Sequence, residues 1–184
     1  MDSDQERLSQ RCADIALLVM DVDGVLTDGG IIHTDSGTEL KRFHVRDGSA
    51  IRIWQQQGKK AAFLSGRSSP AVAARARELG METVIQGASD KLEGYRRILS
   101  QTGVRPEQTC VVADDLPDVP VLANCRLAVA VADACPEVRT MAHYVTRRAG
   151  GAGAVRETVE LILRTQNCWD RVVEEYRNRK LADC

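Results

Sequence analysis

Five short apolar runs at regular intervals constrain the fold of this chain more than any other feature. They lie at residues 15–20, 61–64, 83–85, 109–113 and 127–131. Each run is followed by a stretch of helical periodicity or by turn residues. Runs of strand length that alternate with helices are typical of a parallel sheet covered by helices. We therefore predict an α/β fold with a Rossmann-like parallel sheet flanked by helices.

The stretches between these runs carry signals for the start and end of helices. Asp47 is placed to cap one helix. Ser69 and Pro70 begin a second helix that stops at Gly80, and a third helix stops before Gly103. We expect these helices to cover the sheet.

One segment departs from this alternation. Residues 30–34 and 38–45 are rich in β-forming residues, and the turn between them is Asp35-Ser36-Gly37, with glycine where left-handed backbone is wanted. We predict a β-hairpin over about residues 29–46 that projects from the sheet. Apolar residues near helical spacing predict a tail helix over about residues 165–184, or a contact with a partner.

Length and charge limit the other possibilities. A chain of 184 residues is long enough for one α/β domain and too short for two of ordinary size, so we expect a single domain over residues 1–184. Lysine and arginine number 25 against 26 aspartates and glutamates, which gives no electrostatic reason to expect nucleic acid or a membrane surface as a partner.

The cysteines and the first residues point to the compartment. The polar start has no secretory pattern, no apolar run approaches membrane-spanning length, and we expect a cytoplasmic protein. None of the six cysteines lies in a C-x-x-C pair, so we interpret them as structural thiols rather than metal ligands or disulfides.

Polar residues follow the predicted strands at the points where they end. The first run delivers Asp21 and Asp23, the second is followed by Ser65-Gly66-Arg67, and the fourth by Asp114-Asp115. Lys91 opens a helix that would face the same crevice. Ligands of parallel sheets collect at the carboxyl ends of the strands, so we expect these groups to converge. Taken alone, D-x-D-G is equally consistent with a polar turn.

The combined set D-x-D-G-x-x-T, S-G-R, K and D-D-x-x-D, in this order and spacing, resembles the four motifs of the haloacid dehalogenase superfamily over residues 15 to about 160. The resemblance implies that Asp21 attacks phosphorus and forms a covalent aspartyl-phosphate. A phosphate dianion repels a carboxylate nucleophile, and Mg²⁺ is suited to neutralise the negative charge of the phosphoryl oxygens. By resemblance, the Mg²⁺ ligands are Asp21, the main-chain carbonyl of Asp23, and Asp114.

The remaining motif residues also acquire roles from this resemblance. Ser65 and Lys91 would bind the phosphoryl group, and Asp115 and Asp118 would support the metal ligands. Asp23 favours a phosphatase over a dehalogenase, because an alkoxide leaving group needs a proton whereas a halide does not. The same carboxyl group can then activate the water that breaks the aspartyl-phosphate.

A closer resemblance narrows the family. Neither gap between the motifs holds a cap domain, and a hairpin follows the first motif. Together with His44-Val45-Arg46-Asp47-Gly48, Ser65-Gly66-Arg67, and residues 130–134 and 147–157, this form resembles the 3-deoxy-D-manno-octulosonate 8-phosphate phosphatase family. The resemblance implies a phosphorylated sugar acid as substrate, a role in lipopolysaccharide biosynthesis, and a homotetramer in which neighbouring subunits cover each active site.

The same resemblance implies a set of substrate-binding residues. They are Asp23, His44, Val45, Arg46, Asp47, Gly48, Arg52, Arg67, Arg75 and Lys91. Several have simpler interpretations: Asp47 as a helix cap, and Arg52 and Arg75 as solvated charges on helices. The glycine-rich residues 150–153 either join two elements or offer amides to an anion.

Alternative functions remain open from the sequence. A phosphatase of a nine-carbon sugar acid 9-phosphate shares the motifs, although that relative has an acidic residue where Arg67 stands. An uncapped enzyme could act on a macromolecular phosphate. A non-catalytic domain that binds a sugar or partner is a further alternative, against which the intact set of Asp21, Asp23, Lys91 and Asp114 speaks. A phospho-acceptor receiver domain would have no use for Asp23 as an acid.

Two positions depart from the usual motifs. Ser65 replaces the threonine that is common in the superfamily and keeps the hydroxyl. Ala113 stands where the family usually has glycine, and its methyl group would crowd the Asp114 loop if that position required a positive φ.

Overall fold

The computed structural model describes residues 3–178, which form eight strands and eight α-helices. The strands are β1 (Leu17–Met20), β2 (Ile32–His33), β3 (Glu39–Leu40), β4 (Lys60–Leu64), β5 (Thr83–Ile85), β6 (Thr109–Ala113), β7 (Leu127–Ala130) and β8 (Tyr144–Val145). The helices are α1 (Ser3–Cys12), α2 (Val45–Gln56), α3 (Pro70–Glu78), α4 (Lys91–Thr102), α5 (Val119–Leu122), α6 (Pro136–Met141), α7 (Ala154–Thr165) and α8 (Trp169–Arg177).

Six strands form one parallel sheet in the order β5-β4-β1-β6-β7-β8. With the hairpin strands left out, this is the 3-2-1-4-5-6 order of the Rossmann fold. The predicted α/β fold with a Rossmann-like sheet is therefore confirmed. All five apolar runs lie in this sheet, and β8 is an additional short edge strand that the sequence analysis did not predict.

The central strands are fully buried, which explains their continuous apolar character. Every residue of β1, β6 and β7 is buried. Helices α1, α2, α7 and α8 pack together as one group, and α4, α5 and α6 as another. Right-handed crossovers place these groups on opposite faces of the sheet. The strands that follow β1 are added first on one side of it (β4, β5) and then on the other (β6, β7, β8). The crevice of such a sheet opens at the carboxyl end of the strand where this order reverses, which is β1.

Local signals explain where the helices start and stop. The Asp90 side chain accepts hydrogen bonds from the amides of Leu92 (2.8 Å) and Glu93 (3.2 Å) at the start of α4. Gly103 ends α4 in the left-handed conformation with φ 66°. The polar first segment forms α1, a helix that the sequence analysis did not predict.

The Asp47 prediction requires a correction. Helix α2 has His44 as its N-cap residue, and Asp47 lies within its first turn. The Asp47 carboxylate instead accepts hydrogen bonds from the amides of Gly153 (3.2 Å) and Arg156 (2.7 Å) at the start of α7. Asp47 therefore caps a helix more than 100 residues away in the chain, not its own.

The hairpin is present but short. Strands β2 and β3 are antiparallel, with Ile32 opposite Leu40 and His33 opposite Glu39. Gly37 in the turn has φ 79°, as the sequence predicts. Regular pairing covers two residues in each strand, and Val45 already begins α2.

A tail helix is present within the predicted range and begins four residues later than predicted. Helix α7 ends at Thr165, and the separate helix α8 covers Trp169–Arg177. Residues 179–184 of that prediction lie outside the described residues. Within residues 3–178, no helix has both the length and the apolar character needed to cross a membrane.

Candidate active site

A cavity of about 580 Å³ lies at the carboxyl ends of β1, β4 and β6. It brings together most of the motif residues that the sequence singled out. These are Asp21, Asp23, Ser65, Arg67, Lys91, Asp114 and Asp115. Each comes from a loop that directly follows a strand, or from the first residue of α4, so the parallel topology itself causes the convergence.

A buried lysine joins two of the aspartates at the cavity floor. The Lys91 ammonium lies 3.0 Å from Asp21 Oδ1 and donates a hydrogen bond of 2.7 Å to Asp118 Oδ1. All three side chains are at most 8% exposed. Burial disfavours the ammonium, but the two carboxylates outweigh burial and raise the pKa of Lys91. Lys91 is therefore a fixed positive charge beside Asp21.

Three carboxylates gather around a common point. Oxygen atoms of Asp21, Asp114 and Asp118 all lie within 4.8 Å of one another. Like charges at that separation repel by roughly 3–4 kcal/mol at an effective dielectric constant of about 20. Against three negative charges stands the single ammonium of Lys91. The cluster therefore has a deficit of two positive charges when it is fully ionised.

The geometry of these carboxylates fits a divalent cation. Asp114 Oδ1 and Asp118 Oδ2 are buried and have no hydrogen-bond partner. Buried oxygens are rarely left unpaired, and hard cations such as Mg²⁺ bind carboxylate oxygens. The sequence analysis placed Asp118 behind the metal ligands, whereas its carboxylate lies in the same cluster as those of Asp21 and Asp114. Asp115 is exposed at the rim of the cavity.

The titration of the cluster reflects the same excess of negative charge. Burial and the charge of Asp21 raise the pKa of Asp114 to about 8. The same two causes raise the pKa of Asp118 to about 6. Burial also raises the pKa of Asp21, while Lys91 opposes that shift. Without a cation, the cluster therefore retains protons up to near-neutral pH.

Gly24 of the D-x-D-G motif makes room for Asp114. Gly24 has φ 91°, and a Cβ atom there would lie 2.1 Å from Asp114 Oδ2. Ala113, by contrast, is an ordinary buried residue at the end of β6. Asn167 is the sole non-glycine residue with a positive φ among those described. The concern that Ala113 would crowd the Asp114 loop is thus removed.

The glycine-rich residues 150–153 support the loop that carries Asp21 and Asp23. A Cβ atom at Gly150 would lie 1.7 Å from the Gly24 carbonyl oxygen, so the two backbones are in direct contact. The Gly151 amide donates to the Val25 carbonyl (2.9 Å). The amides of residues 150, 152 and 153 also have protein acceptors. This segment joins two elements, and its amides are not available to an anion.

The motif-two loop contributes a hydroxyl group and a guanidinium group. Ser65 is 2% exposed, and its Oγ accepts a hydrogen bond from the Arg67 amide (3.2 Å). That acceptor contact leaves the hydroxyl hydrogen available to a ligand. The Arg67 side chain, 46% exposed, lies at the rim with Nε 3.7 Å from Asp23 Oδ2.

Two residues that the sequence analysis missed lie beside Asp23. The Lys41 ammonium contacts Asp23 Oδ1 and lies 3.3 Å from Glu39 Oε1. Glu39 Oε2 accepts a hydrogen bond from Arg67 Nη2. Both residues belong to the returning arm of the hairpin. Their alternation around exposed Leu40 was a usable signal, because residues two apart in a strand face the same side.

Comparison with known proteins agrees with this geometry. Residues 38–126 match the profile of the haloacid dehalogenase-like hydrolases. The 3-deoxy-D-manno-octulosonate 8-phosphate phosphatase of Yersinia pestis is 48% identical over 158 residues, which cover 86% of this chain and 84% of that protein. The chain belongs to the 3-deoxy-D-manno-octulosonate 8-phosphate phosphatase family.

Solved structures of this family superpose closely. The crystal structure of the Yersinia pestis phosphatase has a TM-score of 0.88 and 45% identity, and covers 90% of this chain and 89% of its own. The Moraxella catarrhalis phosphatase has a TM-score of 0.90 and 38% identity, and covers 93% of this chain and 98% of its own. That second structure is a complex with a magnesium ion, a phosphate ion and a KDO molecule.

Several residues that the family resemblance assigns to the substrate lie outside this cavity. His44 and Arg46 line a second cleft of about 710 Å³, with Arg147, Arg148 and Arg156. Val45 is 77% exposed on the surface. Within one chain, these side chains and the motif residues do not line a common cavity.

Asp47, Gly48, Arg52 and Arg75 make structural contacts elsewhere. Arg52 donates to the Glu78 carbonyl oxygen (2.6 Å), and Arg75 pairs with the Glu78 carboxylate (2.8 Å). Arg75 also packs against Gly48, where a Cβ atom would lie 2.1 Å from its Nη2. These contacts tie α2 to α3, while Asp47 ties α2 to α7.

Proposed function

We propose that this chain is an Mg²⁺-dependent phosphatase that hydrolyses 3-deoxy-D-manno-octulosonate 8-phosphate to the free sugar acid and phosphate. The observation that carries the proposal is the cluster of buried Asp21, Lys91 and Asp118 with half-buried Asp114 at the floor of the cavity, in a chain of this family. The magnesium, phosphate and KDO bound to the Moraxella catarrhalis relative support the same chemistry.

Asp21 is the nucleophile in this proposal. One oxygen of its carboxylate attacks phosphorus, a phosphorus–oxygen bond forms, and the bond from phosphorus to the sugar oxygen breaks. Lys91 stabilises the negative charge that develops on the phosphoryl oxygens, and the Ser65 hydroxyl donates a hydrogen bond to one of them. Mg²⁺, held by Asp21, the Asp23 carbonyl and Asp114, supplies further positive charge to the phosphoryl group when bound, and the Asp118 carboxylate supports that site.

Asp23 serves the leaving group. Its carboxyl group donates a proton to the sugar oxygen as the ester bond breaks, so the alcohol leaves in neutral form. The resulting carboxylate then takes a proton from the water that attacks the aspartyl-phosphate, which releases phosphate and restores Asp21. A well-placed group of this kind contributes roughly 10²–10⁴-fold to the rate.

The assembly that we propose is a homotetramer whose subunits cover each other's cavities. Three apolar side chains on the hairpin are about half exposed: Ile31 (54%), Ile32 (52%) and Leu40 (48%). Clustered exposed apolar side chains indicate an interaction surface. In such an assembly His44 and Arg46 serve a substrate held by a neighbouring subunit, which accounts for their distance from their own cavity.

We also propose that the whole chain forms one domain and works in the cytoplasm. The five cysteines among the described residues are free thiols, as is usual in a reducing compartment. The sugar acid that this reaction releases would feed lipopolysaccharide biosynthesis.

Turnover measurements test the proposed reaction. With Mg²⁺ present, the enzyme should hydrolyse 3-deoxy-D-manno-octulosonate 8-phosphate with a higher kcat/KM than a nine-carbon sugar acid 9-phosphate or a phosphorylated protein. Asp21→Asn should abolish turnover while the protein keeps its thermal unfolding transition. Preference for the nine-carbon compound would replace the proposed substrate, and full activity of Asp21→Asn would exclude the covalent mechanism.

A further inference from the structure

The returning arm of the hairpin buries a charged side chain beside the active site. The Lys41 side chain is 1% exposed, and its ammonium contacts Asp23 Oδ1. A lysine ammonium is costly to bury unless it is paired. Neither Lys41 nor Glu39 is among the residues that line the cavity. Lys41 therefore reaches the site through Asp23 and not through the ligand.

Asp23 is held from two sides by a closed set of charges. Lys41 contacts Oδ1, and Arg67 Nε lies 3.7 Å from Oδ2. Glu39 completes the set, because one of its oxygens lies 3.3 Å from the Lys41 ammonium and the other contacts Arg67. Two cations alternate with two carboxyl groups, and each cation faces a different oxygen of Asp23. Charge-assisted contacts of this kind fix the orientation of a carboxyl group.

The hairpin delivers Glu39 and Lys41 as a unit. The two residues are separated by one position, so their side chains point to the same side of the extended arm. Leu40, between them, points the other way and is 48% exposed. The arm therefore has a polar face that contacts Asp23 within the same chain and an apolar face that is exposed.

We propose that Lys41, backed by Glu39, is a positioning residue that sets the orientation of the Asp23 carboxyl group toward the leaving group. This inference rests on the role of Asp23 in the proposed function. It assigns Lys41 no contact with the substrate and no proton of its own.

The leaving group determines how strongly a misplaced Asp23 carboxyl group slows the reaction. A sugar alkoxide needs the proton of Asp23, whereas p-nitrophenolate is a good leaving group and departs without it. A misplaced Asp23 carboxyl group therefore slows cleavage of the sugar phosphate much more than cleavage of the aryl phosphate. The ratio kcat/KM reports the first chemical step relative to free enzyme and substrate, so it excludes the later hydrolysis of the aspartyl-phosphate. If the role of Lys41 were purely structural, Lys41→Met would lower kcat/KM for both substrates by the same factor.

The experiment compares kcat/KM for 3-deoxy-D-manno-octulosonate 8-phosphate and p-nitrophenyl phosphate in Lys41→Met, Lys41→Arg and Glu39→Gln. For Lys41→Met we expect a loss of about tenfold or more on the sugar phosphate and about twofold or less on the aryl phosphate, a part of the full effect of a general acid. Lys41→Arg should recover most of the loss, and Glu39→Gln should show a smaller loss of the same kind.

Arg42→Met is the matched control. Arg42 is the next residue of the hairpin, its side chain is 78% exposed, and it pairs with Asp28 rather than Asp23. Its kcat/KM should be close to that of the wild type on both substrates. A leaving-group effect in Arg42→Met as large as that in Lys41→Met would overturn the proposal.

Asp23→Asn separates this inference from the proposed function. If Asp23→Asn lowers kcat/KM for both substrates by the same factor, the acid role of Asp23 in the proposed function is wrong. If Asp23→Asn shows the leaving-group effect and Lys41→Met does not, only the positioning role is wrong. If Lys41→Met does not fold, Glu39→Gln decides, and the absence of any leaving-group effect in that variant overturns the proposal.

Discussion

Asp21, Asp114 and Asp118 lie around one point, and Lys91 is the one positive group paired with them among residues 3–178. Their raised pKa values, about 8 for Asp114 and about 6 for Asp118, mean that the folded protein holds protons that the unfolded chain releases near pH 4. This contribution to stability is present at low pH and is lost as the pH rises through these values. A bound divalent cation replaces the protons, because it binds the ionised carboxylates.

Metal-free protein should therefore lose stability as the pH rises from about 4, where the unfolded carboxyl groups release their protons, to about 8, where Asp114 releases its proton in the folded protein. Mg²⁺ at roughly 100 times its Kd adds about 2.7 kcal/mol to the free energy of unfolding, which corresponds to roughly 5–10 °C in Tm. At a fixed Mg²⁺ concentration, the gain should be larger above pH 8 than below pH 6. Thermal unfolding with a chelator or with Mg²⁺ measures both effects. A chelated Asp114→Asn variant should lose less stability with pH, and an equal loss would contradict this assignment.

Gly24 offers a second test at the level of one residue. Gly24→Ala places a methyl group 2.1 Å from Asp114 Oδ2 at a φ of 91°. The Asp114 carboxylate must move, so we expect Mg²⁺ affinity to fall by about tenfold or more in calorimetric titration.

Gly29→Ala is the control for backbone strain. Gly29 also has a positive φ, 76°, but its nearest contact would be at an ordinary 3.6 Å. Strain of about 1–3 kcal/mol should lower the stability of both variants. If both lose Mg²⁺ affinity equally, strain and not displacement of Asp114 is the cause.

The sequence was sufficient for residues whose role depends on a motif and insufficient for those whose role depends on packing. Asp21, Lys91 and Asp114 were found because strand ends of a parallel sheet meet at one edge. Lys41 was missed because the alternation around Leu40 places Glu39 and Lys41 on one side of the strand but does not indicate that this side faces Asp23.

Some contacts between helices depend on side chains whose partners cannot be predicted from the neighbouring sequence. Asp47 has the appearance of an N-cap for α2, yet its carboxylate binds the amides of Gly153 and Arg156 in α7. Only the tertiary packing of α2 against α7 makes that partner available. Edge strand β8 was missed for a related reason, since two half-buried residues have no detectable period.

Removal of the Asp47 carboxylate should weaken the contact between these two helices. We expect Asp47→Ala to lower the free energy of unfolding by about 1–3 kcal/mol, because two amides at the start of α7, one of them buried, lose their acceptor. Asp47→Asn keeps one acceptor oxygen and should lose less. Urea denaturation followed by circular dichroism gives both values. Wild-type stability in Asp47→Ala would show that solvent satisfies these amides equally well.

At the scale of the whole molecule, the hairpin has an apolar side that the single chain leaves exposed. Replacing both Ile31 and Ile32 with aspartate should reduce the molar mass measured by light scattering from that of a tetramer toward that of one chain. Leu40 is left in place so that Glu39 and Lys41 are undisturbed. Activity on the sugar acid phosphate should fall more than activity on p-nitrophenyl phosphate, since the neighbouring subunit contributes to sugar binding in this proposal.

Met141→Asp provides the comparison for this double variant. Met141 is an exposed apolar residue on α6 (39%) and lies outside the hairpin. It should leave the molar mass unchanged. A wild-type protein with the mass of one chain, or a double variant with unchanged mass, would contradict the proposed role of the hairpin.

The contact between Gly150 and Gly24 joins two positions that the ribosome synthesises at different times. The loop that carries Asp21 and Asp23 is synthesised early, but the backbone that supports it is added 126 residues later. A nascent chain therefore lacks this support of its nucleophile loop as long as Gly150 and Gly151 are still inside the ribosome. Phosphatase activity should appear only after that segment has left the exit tunnel.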